Sequence, residues 1–221
     1  MSKTALITGS SKGIGKACAQ KFNDMGYRVL APSRSEMDLS SEESIRHYVS
    51  ALQEPVHVLI NNGGINPLAN IGDINFSDAR KLVDTNFWAP VLLTDLLAPG
   101  MKSAGYGRIV NISSIWSSVS KKGRAIYASS KAAINAFTRT AAIEYGENNV
   151  LVNAVAPGFV NTELTKINNT AEQIEAIKAN LPLNRLAEPM EIAEIIFFLA
   201  SEKNTFITGQ TIFADGGFTI L

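Results

Sequence analysis

Tyr127 and Lys131 lie four residues apart in the run Tyr127-Ala128-Ser129-Ser130-Lys131. In a helix that spacing puts both side chains on one face. An ammonium beside a phenol favours the phenolate and lowers the phenol pKa from about 10, making Tyr127 an acid/base usable near neutrality. Ser113 and Ser114, just after the apolar run 108–112, and Asn86, at the head of a helical stretch, could complete such a centre. A Tyr-x-x-x-Lys spacing alone arises often by chance, so its weight comes from the other residues.

A second group points to an anionic ligand. Thr8-Gly9-Ser10-Ser11-Lys12-Gly13-Ile14-Gly15 directly follows the first apolar run and opens a helix. Glycines there let the backbone turn tightly and approach a pyrophosphate, whose charge is met by the helix N-terminus. At the end of the second run an acidic residue would hold a ribose 2′-hydroxyl, whereas Arg accommodates a 2′-phosphate. Ser33 occupies that position, Arg34 follows it, and Lys12 in the glycine turn is expected to reach the same group. Two cations and no carboxylate point to NADP(H). Asn61-Asn62-Gly63-Gly64 ends the third run with small residues, leaving room for a ligand at the carboxyl edge of a central strand.

These residues need a scaffold, and the hydrophobic pattern supplies one. Residues 4–8, 28–31, 56–60, 108–112, 150–155 and 210–213 read as strands, mostly apolar throughout, as strands covered on both faces do. Helical stretches fall at 14–25, 41–52, 86–103, 124–145, 170–179 and 188–200. The alternation predicts an α/β fold: one Rossmann-type, doubly wound parallel sheet with helices on both faces. No repeat, linker or low-complexity stretch interrupts it, so residues 1–221 are expected to form a single domain. One connection is abnormal. The seven residues from Ser33 to Leu39 run straight into the next helix, whereas a parallel crossover needs about 10–12 residues. The sheet edge beyond the second strand, where a third strand would lie, is therefore expected to be shortened or missing.

Composition narrows the class further. Apolar residues make up 46% of the 221 and charged residues 18%, enough for a large core. Lys plus Arg and Asp plus Glu number 20 each, a balance that argues against nucleic-acid binding as the main task. No apolar run approaches the roughly 18–20 residues that cross a bilayer, and the N-terminus has no leader-like apolar stretch, so no membrane association is expected. A single cysteine, Cys18, fits a reducing, cytoplasmic setting. With only His47 and His57 beside it, no metal site is expected. Cys18 reads as a small packed residue, and Phe197 and Phe198 as core.

Together the motifs resemble those of the short-chain dehydrogenase/reductase (SDR) family, and most closely its β-ketoacyl-acyl-carrier-protein reductase branch. The resemblance spans essentially the whole chain, from the glycine turn through Asn86, Ser114, Tyr127 and Lys131 to Pro157-Gly158, Thr162, the run Pro182-Leu183-Asn184-Arg185 and Asp215-Gly216-Gly217. The family places its catalytic Ser 13 positions before the Tyr, which selects Ser114 and leaves Ser113 a structural role. The resemblance implies that Tyr127 protonates a carbonyl oxygen while a nicotinamide delivers hydride, and that Ser114 positions that oxygen. It implies that Lys131 holds the nicotinamide ribose and that Asn86 anchors a proton-relaying water. The implied cofactor site comprises Gly9, Ser11, Lys12, Gly13, Ile14, Gly15, Ser33, Arg34, Asp38, Leu39, Asn61, Asn62, Gly63, Tyr127, Lys131, Pro157, Gly158, Val160 and Thr162. Within it the Ile14 backbone meets the pyrophosphate, Asp38 and Leu39 flank adenine, Asn61 contacts the adjacent ribose, and Thr162 binds carboxamide or phosphate.

Three departures from the family pattern stand out. Gly63 replaces the usual Ala and is expected to matter little. The connection between Arg34 and Asp38 is shortened. The loop between Ser114 and Tyr127 is bulkier and more basic than is usual, with Lys121, Lys122 and Arg124, which suggests a negatively charged, bulky acyl or sugar-phosphate substrate. The leading expectation is an NADP(H)-dependent oxidoreductase interconverting a ketone or aldehyde and an alcohol, with a 3-oxoacyl compound as one substrate type. A nucleotide-sugar or other small-metabolite reductase of the same fold, and a non-catalytic NADP(H)-binding sensor, remain open at this stage. The apolar stretch 86–97 and the small residues Ala128, Ala132 and Ala136 suggest the helix–helix homodimer or homotetramer the family commonly forms.

Overall fold

β1 (Thr4–Ile7), β2 (Arg28–Leu30), β3 (Val58–Asn61), β4 (Gly107–Ile112), β5 (Val150–Pro157) and β6 (Thr211–Ala214) pair as one parallel sheet in the computed structural model, which describes residues 2–220. Their order is β2-β1-β3-β4-β5-β6. Every residue of the four central strands is buried, as their unbroken apolar character predicts, while β2 and β6 are partly exposed edges. Successive side chains leave a strand on opposite faces. Ala5, Ile7, Val58, Ile60 and Val110 therefore pack against α1 (Gly13–Asp24) and α8 (Pro189–Ala200). Leu6, Leu59, Ile109, Val150 and Val152 face α2 (Glu42–Ser50), α4 (Ala89–Ala104) and α5 (Ala125–Tyr145). The chain is thus an α/β fold with a six-stranded parallel sheet and helices on both faces. No helix of the described residues is long and apolar enough to cross a membrane.

The short connection ends the sheet at β2, as its length requires. Among the described residues no strand pairs beyond β2. The chain instead folds back in a turn in which the Glu36 and Met37 amides donate to the Ser33 carbonyl. Met37 drops into the core beside Ile45, and the Ser41 hydroxyl caps α2 by accepting from the Ser44 amide.

Two stretches differ from the sequence reading. The segment expected to begin a helix at Asn86 is preceded by α3 (Phe76–Val83) and joined to it by a π-helical turn, Asp84–Trp88. Asn75 starts α3 by accepting from the Ser77 and Asp78 amides. This helix is short: its apolar residues Phe76, Ala79, Leu82 and Val83 keep helical spacing over only about two turns, and of them Leu82 alone is buried. A further helix, α6 (Glu163–Asn168), follows the β5 loop and starts at Thr162, whose hydroxyl accepts from the Thr165 amide. It leads to α7 (Ala171–Ala179), where Thr170 and Gln173 form a capping box.

Candidate active site

The glycine turn is built so that only glycine fits. Gly9 and Gly13 have φ of +65° and +56°, in the left-handed region. A Cβ on Gly15 would collide with the Gly9 carbonyl and the Asn62 amide. Asn62 ties the two loops together: its amide nitrogen donates to the Thr8 and Gly9 carbonyls, each at 3.0 Å. Thr8 completes the join by accepting at its hydroxyl from the Asn62 and Gly63 backbone amides. At the start of α1, Lys12 makes no side-chain capping bond and no acidic residue stands in the first turn. The first amides are unclaimed by side chains and carry the positive end of the helix dipole. A pyrophosphate fits such a cradle.

That turn forms one wall of a cavity of ≈ 370 Å³. Its other walls bring together Ser114, Tyr127, Lys131, Pro157, Gly158, Val160 and Thr162, along with Asn62, Gly63 and Gly64. Ser114 follows β4 and caps the 3-10 turn Ile115–Ser117, its hydroxyl accepting from the Trp116 amide at 3.3 Å. Ser113, one position earlier, is turned inward and donates to the Lys131 carbonyl at 3.3 Å. Lys131 is 5% exposed, and its ammonium donates to the Ile112 carbonyl at 2.6 Å. Burial lowers its pKa to about 8.

Tyr127 behaves differently from the simple expectation of a cation-lowered phenol. Burial raises its pKa above 10, and the opposing influences are the Ser114 hydrogen bond and the charge of Arg124. The Lys131 ammonium lies 5.7 Å from the Tyr127 ring centre and is directed to Ile112. The phenol therefore carries its proton at neutral pH, the form a proton donor needs.

Asn86 sits in the π turn, 1% exposed, and both ends of its amide are taken by Ile65, whose amide donates to it and whose carbonyl accepts from it. A Cβ added to Gly64 would lie 3.2 Å from the Asn86 oxygen and 3.8 Å from the Lys131 ammonium, so Asn86, Gly64 and Lys131 meet at one point. Asn61 is not brought to the cavity wall. Its amide is buried within the sheet and donates to Asn111, which in turn donates to Thr138.

A second cavity, of ≈ 500 Å³, adjoins the first along Gly9, Ser11, Gly63, Gly64 and Ile65. Ser33, Arg34, Asp38 and Leu39 line it, and so does Lys81 from α3. Arg34 approaches the Asp38 carboxylate at 3.4 Å, and the Glu36 carboxylate accepts from the Ser33 amide at 2.7 Å. Asp38 is held by the Ser40 amide and hydroxyl, which lower its pKa. Lys12 is placed elsewhere: it pairs with Glu163 at 3.6 Å across the mouth of the first cavity. Leu39 lies where a Cβ on Gly63 would point, so the flexible end of that side chain would have to turn aside to admit one.

Lys81 and the pairing role of Glu163 are not singled out by the sequence, and Trp116 and Arg124 enter its reading only as part of a bulky, basic loop. The Arg124 guanidinium lies 4.9 Å over the Trp116 ring. Cys18 is buried and its thiol is pushed up to about 12, so it is an inert core residue.

Comparison with known proteins agrees with the geometry. The family described as enoyl-(acyl carrier protein) reductase matches residues 30–219, and that described as short chain dehydrogenase matches residues 3–42. A 3-oxoacyl-[acyl-carrier-protein] reductase of Vibrio cholerae is 35% identical over 97% of this chain and 96% of its own. An acetoacetyl-CoA reductase of Shinella zoogloeoides is 35% identical, covering 98% of each chain. Among solved structures, a 4-hydroxyisoleucine dehydrogenase complexed with NADH superposes with a TM-score of 0.94 at 29% identity, covering 99% of each chain.

Proposed function

The chain belongs to the short-chain dehydrogenase/reductase family of oxidoreductases, and from that premise we propose that it is an NADP(H)-dependent reductase of a ketone or aldehyde. The observation that carries this reading is the convergence of Ser114, Tyr127 and Lys131 on the cavity bounded by the glycine turn. Relatives named as 3-oxoacyl and acetoacetyl-CoA reductases favour a 3-oxo compound as substrate.

The cradle residues Gly9, Ser11, Gly13, Ile14 and Gly15 would hold the pyrophosphate with backbone amides. Lys131 would hold the nicotinamide ribose, and Thr162, packed against Gly13, would bind the carboxamide or phosphate. What the cofactor supplies when bound is a hydride for the carbonyl carbon. Ser114 orients the carbonyl oxygen and stabilises its developing charge. Tyr127, protonated at neutral pH, gives that oxygen its proton. Because Ile65 occupies the Asn86 amide, Asn86 would anchor a relay water through its backbone and so return a proton towards Lys131.

Arg34 supports NADP(H) over NAD(H), because its mostly exposed guanidinium lies on the adenine side and its long contact with Asp38 leaves donors to meet a 2′-phosphate. Lys81 lines the same cavity and adds a second cation there. Lys12, paired with Glu163, serves the pyrophosphate side. The carboxylates of Glu36 and Asp38 on this side are the observation that favours NAD(H) instead. The exposed Trp88 of the π turn lines, with Phe137 and Tyr145 of α5, a groove of ≈ 670 Å³ beside α4, a face suited to a homodimer or homotetramer of a cytoplasmic enzyme. The test is NADPH and NADH oxidation against a panel of ketones and aldehydes, with light scattering for the assembly. The reading requires turnover with higher kcat/KM for NADPH. Cofactor binding without turnover of any carbonyl would leave a binding protein.

A further inference from the structure

The basic loop before α5 holds three cations, and the structure separates them. Lys121 and Lys122 are exposed on the loop. Arg124 is half-buried, lies 4.9 Å over the face of Trp116, and has no carboxylate within 4 Å among the described residues. Its guanidinium donates no hydrogen bond to another described residue either.

Its placement ties it to the reacting centre from two sides. It immediately precedes α5 and stands three residues before Tyr127, a spacing that makes helical neighbours. Trp116, on which it stacks, gives its amide to the Ser114 hydroxyl. The ring is in turn fixed edge-on by Phe159 at 6.1 Å and Phe218 at 6.2 Å, so the guanidinium rests on a rigid platform. The first turn of α5 has no acidic residue and no side-chain cap, so the guanidinium stands at the positive end of a 21-residue helix with no carboxylate of that turn beside it. A cation there is disfavoured by the dipole and, beyond the Trp116 ring, gains no carboxylate among the described residues. The charge of Arg124 also acts on the Tyr127 phenol, which places the two groups within electrostatic range.

We propose that Arg124 is the anchor for a carboxylate on the substrate, and that the 3-oxo compound the enzyme reduces is a free oxo acid. The inference rests on the reductase reading above and narrows its substrate class. A guanidinium offers the planar, two-pronged donor set that matches a carboxylate. Anchored there, the acid would place its carbonyl between Ser114 and Tyr127. The reaction balances as a simple reduction: hydride forms the new C–H bond, the C=O π electrons take the phenolic proton, and the products are a hydroxy acid and oxidised cofactor.

The test compares acetoacetate with methyl acetoacetate, which carries the same ketone without the charge. The wild-type enzyme is expected to prefer the acid in kcat/KM. In Arg124→Met that acid-to-ester ratio should fall roughly 10- to 100-fold, the range for losing a charged hydrogen-bonded contact, and Arg124→Lys should keep part of it. Succinate, a non-reducible probe, should raise the melting temperature of the NADP-loaded wild type and not of Arg124→Met. A ratio unchanged in Arg124→Met, with both substrates falling together, would assign Arg124 a structural role and overturn the proposal. So would a wild-type preference for the ester, or reduction of other ketones but neither of these. Failure to reduce any carbonyl while still binding NADPH would instead overturn the reductase reading, and this inference with it.

Discussion

Strand β4 has a buried cation at each end, and each cation sits beside a tyrosine. At the amino end Arg108 is 3% exposed and lies 4.5 Å from the Tyr106 ring centre. At the carboxyl end Lys131 is 5% exposed, bonds the last carbonyl of the strand at Ile112, and lies 5.7 Å from the Tyr127 ring centre. The environments differ in what they leave undone. Arg108 donates to the Gly107, Asn149 and Asn204 carbonyls at 2.7, 2.9 and 3.1 Å. Lys131 has three donors and gives one to a carbonyl among the described residues. A buried charge is tolerated when its hydrogen bonds are met. Arg108, whose two terminal nitrogens are met and whose Nε alone lacks a partner, is therefore a strut that pins the connections from α5 to β5 and from α8 to β6. Lys131 is held in a state that a ligand would improve. Burial pushes the neighbouring phenol up in both cases, Tyr106 to about 12, but only Tyr127 opens onto a cavity beside a serine.

The sharpest way to break this contrast is to remove the two hydroxyls. Tyr127→Phe should lower kcat by roughly 10²–10⁴-fold, the usual worth of a positioned proton donor, with NADPH affinity retained. Tyr106→Phe should leave kcat and KM near the wild type. A steady-state comparison of the two variants checks both statements, and equal effects would erase the distinction between the ends.

Exchanging the cations for Met should separate stability from activity. Arg108→Met removes the side-chain donor from the Gly107, Asn149 and Asn204 carbonyls, of which Asn149 keeps the Gly107 amide, and should cost about 1–3 kcal/mol of stability in denaturant unfolding, with kcat/KM little changed. Lys131→Met should do the reverse. It removes a poorly partnered buried charge, so stability should hold or rise, while both cofactor affinity and turnover fall by about tenfold or more.

The pH dependence follows from the same asymmetry. Lys131, with its pKa lowered to about 8, loses its charge above that pH, well before the raised Tyr127 phenol ionises. Reductive kcat/KM should therefore decline towards tenfold per pH unit above about 8. Between about pH 8 and the ordinary lysine value of 10.5 the unfolded chain binds a proton at this site that the folded chain does not. The contribution of Lys131 to stability thus rises with pH across the window in which activity falls. Parallel activity and unfolding series from pH 7 to 10 would expose the opposite slopes, which Lys131→Met should abolish.

What could be read without coordinates was whatever local pattern decides. The glycine turn, the unbroken apolar strands and the missing sheet edge follow from spacing and chain length, and the structure has them where the sequence puts them. Helix α3 spans only eight residues, too few turns for its apolar spacing to stand out, and with it Lys81 escapes notice. The pairing of Lys12 with Glu163 joins residues from two distant loops, and charge alone had grouped Lys12 with Arg34 instead. Arg124 was grouped with Lys121 and Lys122 by composition, whereas its contact with Trp116 depends on how the 3-10 turn after β4 packs on α5. The Tyr127 pKa also runs opposite to the expected direction, because burial of the phenol outweighs the Ser114 hydrogen bond and the Arg124 charge, while the ammonium four residues on is directed to the Ile112 carbonyl.

The smallest expected effect tests a residue whose spacing is right and whose identity is not the usual one. Gly107 and Gly63 are both tightly surrounded, one near each end of the sheet. A Cβ on Gly107 would meet Met101 Cβ and Sδ, both at 2.7 Å, inside the core, where close packing leaves little room to yield. A Cβ on Gly63 would press on the Cδ1 of Leu39, the end of a flexible and only partly buried side chain. Gly63→Ala should therefore cost less than about 1 kcal/mol of stability, below the usual range for overpacking a core. Its consequence should appear at the adenine-side cavity that Leu39 lines, as a severalfold rise in KM for NADPH with kcat unchanged. Shortening the obstructing side chain in Gly63→Ala/Leu39→Val should restore much of that KM. If the double variant binds NADPH no better than Gly63→Ala, Leu39 is not what the glycine accommodates.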